Sequence, residues 1–546
     1  MGTGRRIGFR EAFSIGVGGM IGGGIFAVLG LSLELAGTAA PLAFLLAGLI
    51  ALVTAYSYAK LSLRFPSRGG TVEFLVQGFG PGVFSGGLNI LLLASYVVMV
   101  ALYSYAFGSY GASIVHGGWL LSHVLASLVV LAFVFVNALG AYVSGSVEDA
   151  LVFFKLGVLV LVAAVGLPLV SWAKFSPSKW PSALNIVVGG MIIFLAYEGF
   201  ELIANTAADV ESPSVLPRAF YSSVLVVIAV YVVIALVSAG VLSPEEVIRV
   251  RDYALAEVAA KGLGYAGFLL VVAAALASTA SAINATLYGT AGISYIVAKY
   301  GQLPRELGKK IWRNAPEGLV AIAVLSLLLV NTTGLETISF AGSCGFLLVF
   351  GFINIAAYRL RDRIRANPVI TIIGAGAAFT ALGIMIYRSI VKEPLQAALF
   401  AVTVTASFTI EYVYRLYTRR ELAEYIDELL RAREEAIRQW DKWVPRIIQH
   451  VAERLKAVEI YLVGSVAREE LHRAHDVDLL VVSKERLTKK QITNLIRELR
   501  EKGIIEKHHP IDIHVAVPDE KEKWLQHSKK YRRLYRRETS GAETGK

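Results

Sequence analysis

One lysine stands inside an apolar stretch, Phe153-Phe154-Lys155-Leu156-Gly157-Val158. An ammonium within a membrane helix costs roughly 3 kcal/mol on insertion scales, so by default it marks a functional site. Desolvation favours the neutral amine, which lets a buried lysine gain and lose a proton. The plainer explanation is a side chain snorkelling to the cytoplasmic end, since Glu148-Asp149 precede it closely. A second apolar stretch, Phe194-Leu195-Ala196-Tyr197-Glu198-Gly199-Phe200-Glu201, carries two carboxylates around a glycine. A third, Gly18-Gly19-Met20-Ile21-Gly22-Gly23-Gly24-Ile25-Phe26, has five glycines between residues 18 and 24. Glycine at that density disfavours continuous helix and strips side chains from the backbone. Unwound backbone survives in a bilayer only where it lines a cavity or binds something, and N–H groups at a half-helix start suit a carboxylate. Close helix packing would explain a single small-residue pair. The dense run, matched by a charged break five helices later, favours the cavity.

A different chemistry is written near the C-terminus. Gly464-Ser465 follows a short β run, Ile460-Tyr461-Leu462-Val463, and can cradle phosphates on backbone N–H groups. Asp476 and Asp478 alternate at the start of the next β run, and Asp512 lies on a later one. Three converging carboxylates suit magnesium ions that clamp a triphosphate and activate a hydroxyl. Surface acids would explain any one aspartate but not the ordered set. Asn284 is a weaker pocket candidate, because a buried amide serves equally as interhelical glue.

Two solvents must position these groups. Of the first 417 residues 44 are charged, against 51 of the last 129, while the whole chain is 55% hydrophobic. A soluble enzyme is excluded for the first part and a wholly embedded chain for the rest. Spanning helices need about 20 mostly apolar residues. Twelve such runs are expected, at 11–35, 38–59, 83–113, 120–140, 148–171, 184–207, 219–242, 263–298, 316–332, 336–357, 369–387 and 395–416. Placing both termini inside puts 19 basic residues on cytoplasmic flanks and seven outside, as the positive-inside rule requires. That bias also accounts for much of the net charge of +11, and nucleic acid is not expected as a partner. No small-residue cleavage site follows the first run, so no removable signal peptide is read there. A single cysteine, Cys344, excludes an internal disulfide framework and a cysteine metal site. The tail reads as a charged helical linker over 418–444, a small α/β unit over 445–520 and a basic tail over 521–546. Within that tail, 529–537 is expected as a solvated terminal helix.

The first 417 residues resemble the amino acid–polyamine–organocation transporter superfamily. The likeness rests on Gly19-Met20-Ile21-Gly22-Gly23-Gly24-Ile25-Phe26 and on Ala55-Tyr56-Ser57-Tyr58-Ala59-Lys60-Leu61-Ser62 running into Phe65-Pro66-Ser67-Arg68-Gly69-Gly70. It also rests on Ala196-Tyr197-Glu198-Gly199-Phe200-Glu201, continued by Ala208-Asp209-Val210-Glu211-Ser212-Pro213. The resemblance implies an all-α polytopic fold with a LeuT-type five-plus-five inverted repeat and amino acids or related amines as substrates. By position, the amides of Gly22, Gly23 and Gly24 and the carbonyl of Ile21 would hold the substrate carboxylate and amine. Phe194, Ala196, Tyr197 and Gly199 would form the opposite wall. Leu195-Ala196 stand where some relatives place an aromatic gate, for which Phe194 can substitute. Lys155 resembles the fifth-helix lysine of proton-coupled members, and with Glu201 it is the expected proton-coupling group. Glu198 is an extra acid at the break, read as facing a wet vestibule.

The segment 445–520 is similar to the minimal nucleotidyltransferases of the polymerase-β superfamily, through Gly464-Ser465-Val466-Ala467-Arg468 and Asp476-Val477-Asp478. The resemblance implies Gly464, Ser465 and Arg468 for the nucleotide, Asp476, Asp478 and Asp512 for the metal, and magnesium with a nucleoside triphosphate as cofactors. Transport itself is expected to need no cofactor. Glu469 occupies a position often held by glycine in those proteins, and His475 one often held by serine. The combined expectation is a proton-coupled amino acid transporter of the plasma membrane, termini cytoplasmic, with a nucleotidyltransferase-like regulatory domain. The alternatives are an exchanger of amino acids or amines, and a membrane-anchored nucleotidyltransferase whose transporter portion senses its ligand.

Overall fold

The computed structural model describes residues 6–138, 145–299, 310–312, 315–418, 435–455, 458–469, 476–483, 489–502, 504–505, 510–528 and 530–536. It divides into two units, Met1–Arg420 and Glu421–Lys546. The stretch of the expected linker from 419 to 434 and the residue His475 lie outside the described residues.

Among the described residues, the membrane unit places helix in each apolar run. Its helices are α1 (Phe9–Met20), α2 (Gly24–Ala36), α3 (Ala40–Arg64), α4 (Thr71–Phe79), α5 (Val83–Ser113), α6 (Gly118–Ala138), α7 (Gly145–Gly166) and α8 (Ala183–Phe194). They continue with α9 (Val215–Val241), α10 (Pro244–Arg249), α11 (Ala254–Lys299), α12 (Glu317–Thr332), α13 (Leu335–Arg359), α14 (Arg361–Ile364), α15 (Pro368–Lys392) and α16 (Pro394–Thr418). Among the described residues, ten stretches are long and apolar enough to cross a membrane. Two stretches separate the ten from the twelve expected. The 3₁₀ turn Gly37–Ala39 joins α2 to α3 as one stretch, Gly24–Arg64, and the helical residues Leu319–Thr332 fall short of spanning length.

Local chemistry sets the boundaries. Ser182 caps α8 by accepting from the Asn185 N–H at 3.3 Å. Ser243 and Glu246 form a capping box at α10. Asn367 caps α15, with Pro368 at its first turn. Burial separates the helices into inner and outer sets. In its most apolar window α5 is 78% buried, whereas α6 is only 17% buried although mean hydropathy is higher there. An apolar helix left open to its surroundings needs lipid as its solvent.

At the centre, Tyr58 is fully buried and meets Phe74, Phe200 and Phe350 edge-on at ring separations of 5.7, 5.5 and 5.6 Å. Its hydroxyl hydrogen-bonds the Thr71 hydroxyl at 2.8 Å. This cluster anchors the segment after the second break, since Phe200 opens the 3₁₀ helix Phe200–Thr206. At one end of the unit Ile7 pairs with Val210, and Arg68 grips Asp209 through two bonds of 2.8 and 2.7 Å.

The second unit is an α/β fold. Numbering a short hairpin in the membrane unit as β1 (Lys310–Trp312) and β2 (Ala315–Pro316), its strands are β3 (Glu459–Val463), β4 (Val477–Val482), β5 (Ile511–Ala516) and β6 (Arg532–Arg536). The sheet order is β5-β4-β3-β6, with β4 and β5 parallel and the other pairs antiparallel. Helices Trp440–Arg454 and Lys489–Glu501 bury Ile447, Val451, Leu495 and Leu499 with Ile460, Leu479 and Val481. Two expectations are corrected here. The basic stretch read as a terminal helix is strand β6, and it belongs to the sheet and not to a separate tail. Glu459 explains the attachment: its carboxylate accepts from Lys521 and from the Tyr461 hydroxyl, and Arg533 and Arg536 stand 3.8 Å away. Arginines paired across a strand from a buried acid are held by charge as well as by the ladder.

Candidate functional site

The first break falls between α1 and α2, and the second follows α8. There Leu195–Tyr197 tighten into a 3₁₀ turn, Glu198 is extended, and Gly199 adopts φ +119°. The two breaks abut: a Cβ on Gly24 would stand 2.5 Å from the Ala196 Cα, and one on Gly23 would stand 2.4 Å from the Tyr103 ring. Only glycine permits this approach.

Side chains from other helices satisfy the freed carbonyls. The Tyr231 hydroxyl donates to Met20 O at 2.7 Å and lies 3.2 Å from Ala196 O, tying both breaks to α9. Ser278 Oγ donates to Ile21 O at 2.8 Å and also reaches Gly22 O, tying the first break to α11. The Gly199 N–H donates to Glu201 Oε2 at 2.7 Å, while Glu201 Oε1 accepts from Tyr96 at 3.2 Å. Glu201 is therefore a clamp on the second break, with both carboxylate oxygens used.

Beside the junction lies a cavity of about 70 Å³, room for a few waters or a small polar molecule. Its wall includes Gly18, Gly19, Lys155, Glu198 and Gly199, the tyrosines Tyr96 and Tyr103, and the hydroxyls of Ser281, Thr286 and Thr290. Lys155 is 2% exposed and Glu198 4% exposed, so a basic and an acidic group face one small cavity. That burial answers the snorkelling explanation for Lys155.

Not every expected residue lines the cavity. Gly22, Gly23 and Gly24 lie outside its wall, and the Gly22 N–H donates to Gly19 O at 3.1 Å. Ile21 offers its carbonyl to Ser278. Tyr197 turns its hydroxyl to Phe44 O at 3.0 Å, and Phe194 packs edge-on against Phe350 in the aromatic core. Asn284 accepts from Asn137 at 2.8 Å and joins two helices. Sequence reasoning missed Tyr231, Ser278 and Ser281. The last two stand three apart in an apolar run, a helical-face spacing that could have revealed them.

In the second unit, Val463 on β3 pairs with Asp478 on β4, which pairs with Asp512 on β5. The register sets the two carboxylates side by side. Gly464 follows at φ +76°, where an added Cβ would stand 2.1 Å from Asp478 Oδ2. Asp478, Asp512 and His514 place ligand atoms within 4.8 Å of one another. Asp476, just ahead of β4, is not in that group, and His514 was not foreseen; its alternation with Asp512 on one strand face was the available signal. Ser465 and Arg468 lie on and just after the turn Gly464–Ala467. Glu469, the position often held by glycine, has φ +63°, the conformation that favours glycine.

Residues 7–410 match the amino acid permease family. The chain belongs to that family. Residues 444–538 of the permease match the nucleotidyltransferase domain family, so the sheet unit is a nucleotidyltransferase domain that includes β6. The permease is 34% identical over 372 residues to the inner membrane transport protein YbaT of Escherichia coli, covering 67% of this chain and 86% of that one. It is 32% identical over 423 residues to an uncharacterized protein of Methanocaldococcus jannaschii, covering 76% of this chain and 97% of that one. It is 27% identical over 381 residues to the branched-chain amino acid permease BcaP of Lactococcus lactis, covering 65% and 81%. The permease is a multi-pass membrane protein.

Proposed function

We propose that the membrane unit is a secondary carrier that takes amino acids into the cell together with protons. The observation that supports this most is the small cavity at the meeting point of both breaks, walled by bare glycine backbone, Lys155 and Glu198. Gly18, Gly19 and Gly199 line it without side chains, so a zwitterion can come close to the main chain there. Lys155, buried against that backbone, holds a fixed positive charge when protonated and can release its proton when the surroundings change. Twelve spans that include a five-plus-five inverted repeat, with both termini cytoplasmic at the plasma membrane, belong to the same proposal. In it the Arg68–Asp209 grip and the Ile7–Val210 pairing close the cytoplasmic side. The name of the Lactococcus relative makes branched-chain amino acids the first substrates to try. Labelled uptake into proteoliposomes should follow an imposed pH gradient and ignore sodium. Uptake that needs sodium and persists without the pH gradient would refute proton coupling, and equal uptake with and without internal substrate would argue against exchange.

A second function is proposed for the nucleotidyltransferase domain: it binds a nucleoside triphosphate with a divalent cation and regulates transport. The donor set fits, because Asp478 and Asp512 stand side by side and Gly464 leaves the space a Cβ would fill. Asp478 and Asp512 would hold the cation, with Asp476 from the start of β4. Gly464, Ser465 and Arg468 would meet the phosphates. A bound cation would neutralise phosphate charge and make an acceptor hydroxyl more acidic. Transport that responds to ATP in the wild type and not in Asp478→Asn supports regulation. Ligand binding without any flux would instead favour the membrane-anchored sensor.

A further inference from the structure

His514 lies on the same face of β5 as Asp512 and across from Leu480 of β4. Its Nε2 is 3.4 Å from Asp478 Oδ1 and 3.7 Å from Asp512 Oδ2. The Asp478 contact is a long hydrogen bond, and both separations exceed the 2.7–3.2 Å of an ordinary N–H···O bond. The 3.4 Å separation matches a different geometry, and the 3.7 Å one lies just outside it. Two ligand atoms about 2.1 Å from one shared ion, at bond angles of about 90–120°, stand about 3.0–3.6 Å apart. The ring is held from behind: Trp524 lies against it with centroids 5.1 Å apart and the planes 35° from parallel. Two neighbouring strands thus bring two carboxylates and one imidazole together. His514 is 30% exposed and Asp512 58% exposed, so an ion can reach it.

We propose that His514 is a nitrogen ligand of the divalent cation in the nucleotidyltransferase domain, and that it biases the site toward manganese and similar borderline cations over magnesium. This rests on the cation-binding function proposed above for that domain. The chemistry is general: magnesium takes oxygen ligands almost alone, whereas an imidazole among carboxylates suits the first-row transition ions. Trp524 acts as a positioning residue, holding the ring with Nε2 toward the carboxylates.

The test uses the full-length protein in detergent, loaded with manganese alone and then titrated with magnesium. Pulsed electron paramagnetic resonance reads nitrogen coupling to the manganese, and the titration reads the manganese-to-magnesium preference. The expected result is one coupled nitrogen in the wild type, lost in His514→Gln, with the preference falling about tenfold. Bound manganese without nitrogen coupling in the wild type would overturn the proposal without requiring any variant to fold. So would an unchanged preference in His514→Gln. In both cases binding that Asp478→Asn abolishes would leave the domain's cation function standing. If no manganese binds in a way that depends on Asp478, both fall together.

Discussion

The backbone of Gly19 lies against the backbone of Gly199 so closely that a Cβ on Gly199 would stand 2.4 Å from the Gly19 carbonyl carbon. Two helix interruptions far apart in the chain therefore meet as bare main chain, and the cavity opens beside their contact. Neither position tolerates a side chain, and Gly199 in addition uses a backbone conformation, φ +119°, that other residues rarely adopt.

Gly199→Ala is expected to abolish transport and to destabilise the membrane unit by about 1–3 kcal/mol from backbone strain alone. Gly376→Ala is the control, because nothing stands within 4 Å of its Cβ position. Thermal unfolding and amino acid uptake, measured side by side, should separate the two variants. Equal behaviour would mean that the breaks need not touch.

Tyr231 holds Met20 O and Ala196 O with one hydroxyl. Tyr231→Phe keeps the ring and removes the one proton donated, at about 1–3 kcal/mol for the buried carbonyl left short of a partner. Lower thermal stability together with reduced uptake is the expected outcome. A variant as stable and active as the wild type would show that water or rearranged backbone serves equally well.

The nucleotidyltransferase domain should weaken in acid. Burial raises the pKa of Glu459, but Lys521, the Tyr461 hydroxyl and Arg536 outweigh it and hold the carboxyl below its usual 4.5. A depressed carboxylate pKa contributes stability above 4.5 that is lost as pH falls through the folded value. Hydrogen-exchange protection factors for β3 in the full-length protein should fall between about pH 5 and pH 3. In Glu459→Gln they should start lower and change less. A flat wild-type profile would remove the Glu459–Lys521 pair as the cause.

Glu469 adopts φ +63°. Glu469→Gly should stabilise the domain by about 1 kcal/mol by relieving that strain, less the entropy glycine adds to the unfolded chain. Chemical unfolding of the two proteins measures the difference. A destabilised variant would show that the Lys530 contact at 3.4 Å outweighs the strain.

Hydropathy and charge made the two-unit plan legible, because lipid and water select such different compositions. The breaks were legible too, since five glycines in seven positions leave few alternatives to irregular backbone. The cavity wall was legible only in part, in Lys155, Glu198 and Gly199. Glycine spacing says where backbone is bare but not which of its atoms other helices will occupy, so the loss of Ile21 O to Ser278 was invisible. The strand β6 was missed because its apolar content is only Leu534 and Tyr535 among arginines; pairing with β3 and the charge of Glu459 decide it, and both are remote in sequence.

The most direct measurement is counterflow of labelled amino acids in proteoliposomes, wild type beside Lys155→Ala, at two external pH values. A proton-coupled carrier predicts saturable flux that rises at acid pH in the wild type and loses its pH dependence in the variant. Flux with the same pH dependence in both proteins, or amino acid binding without any flux, would contradict it.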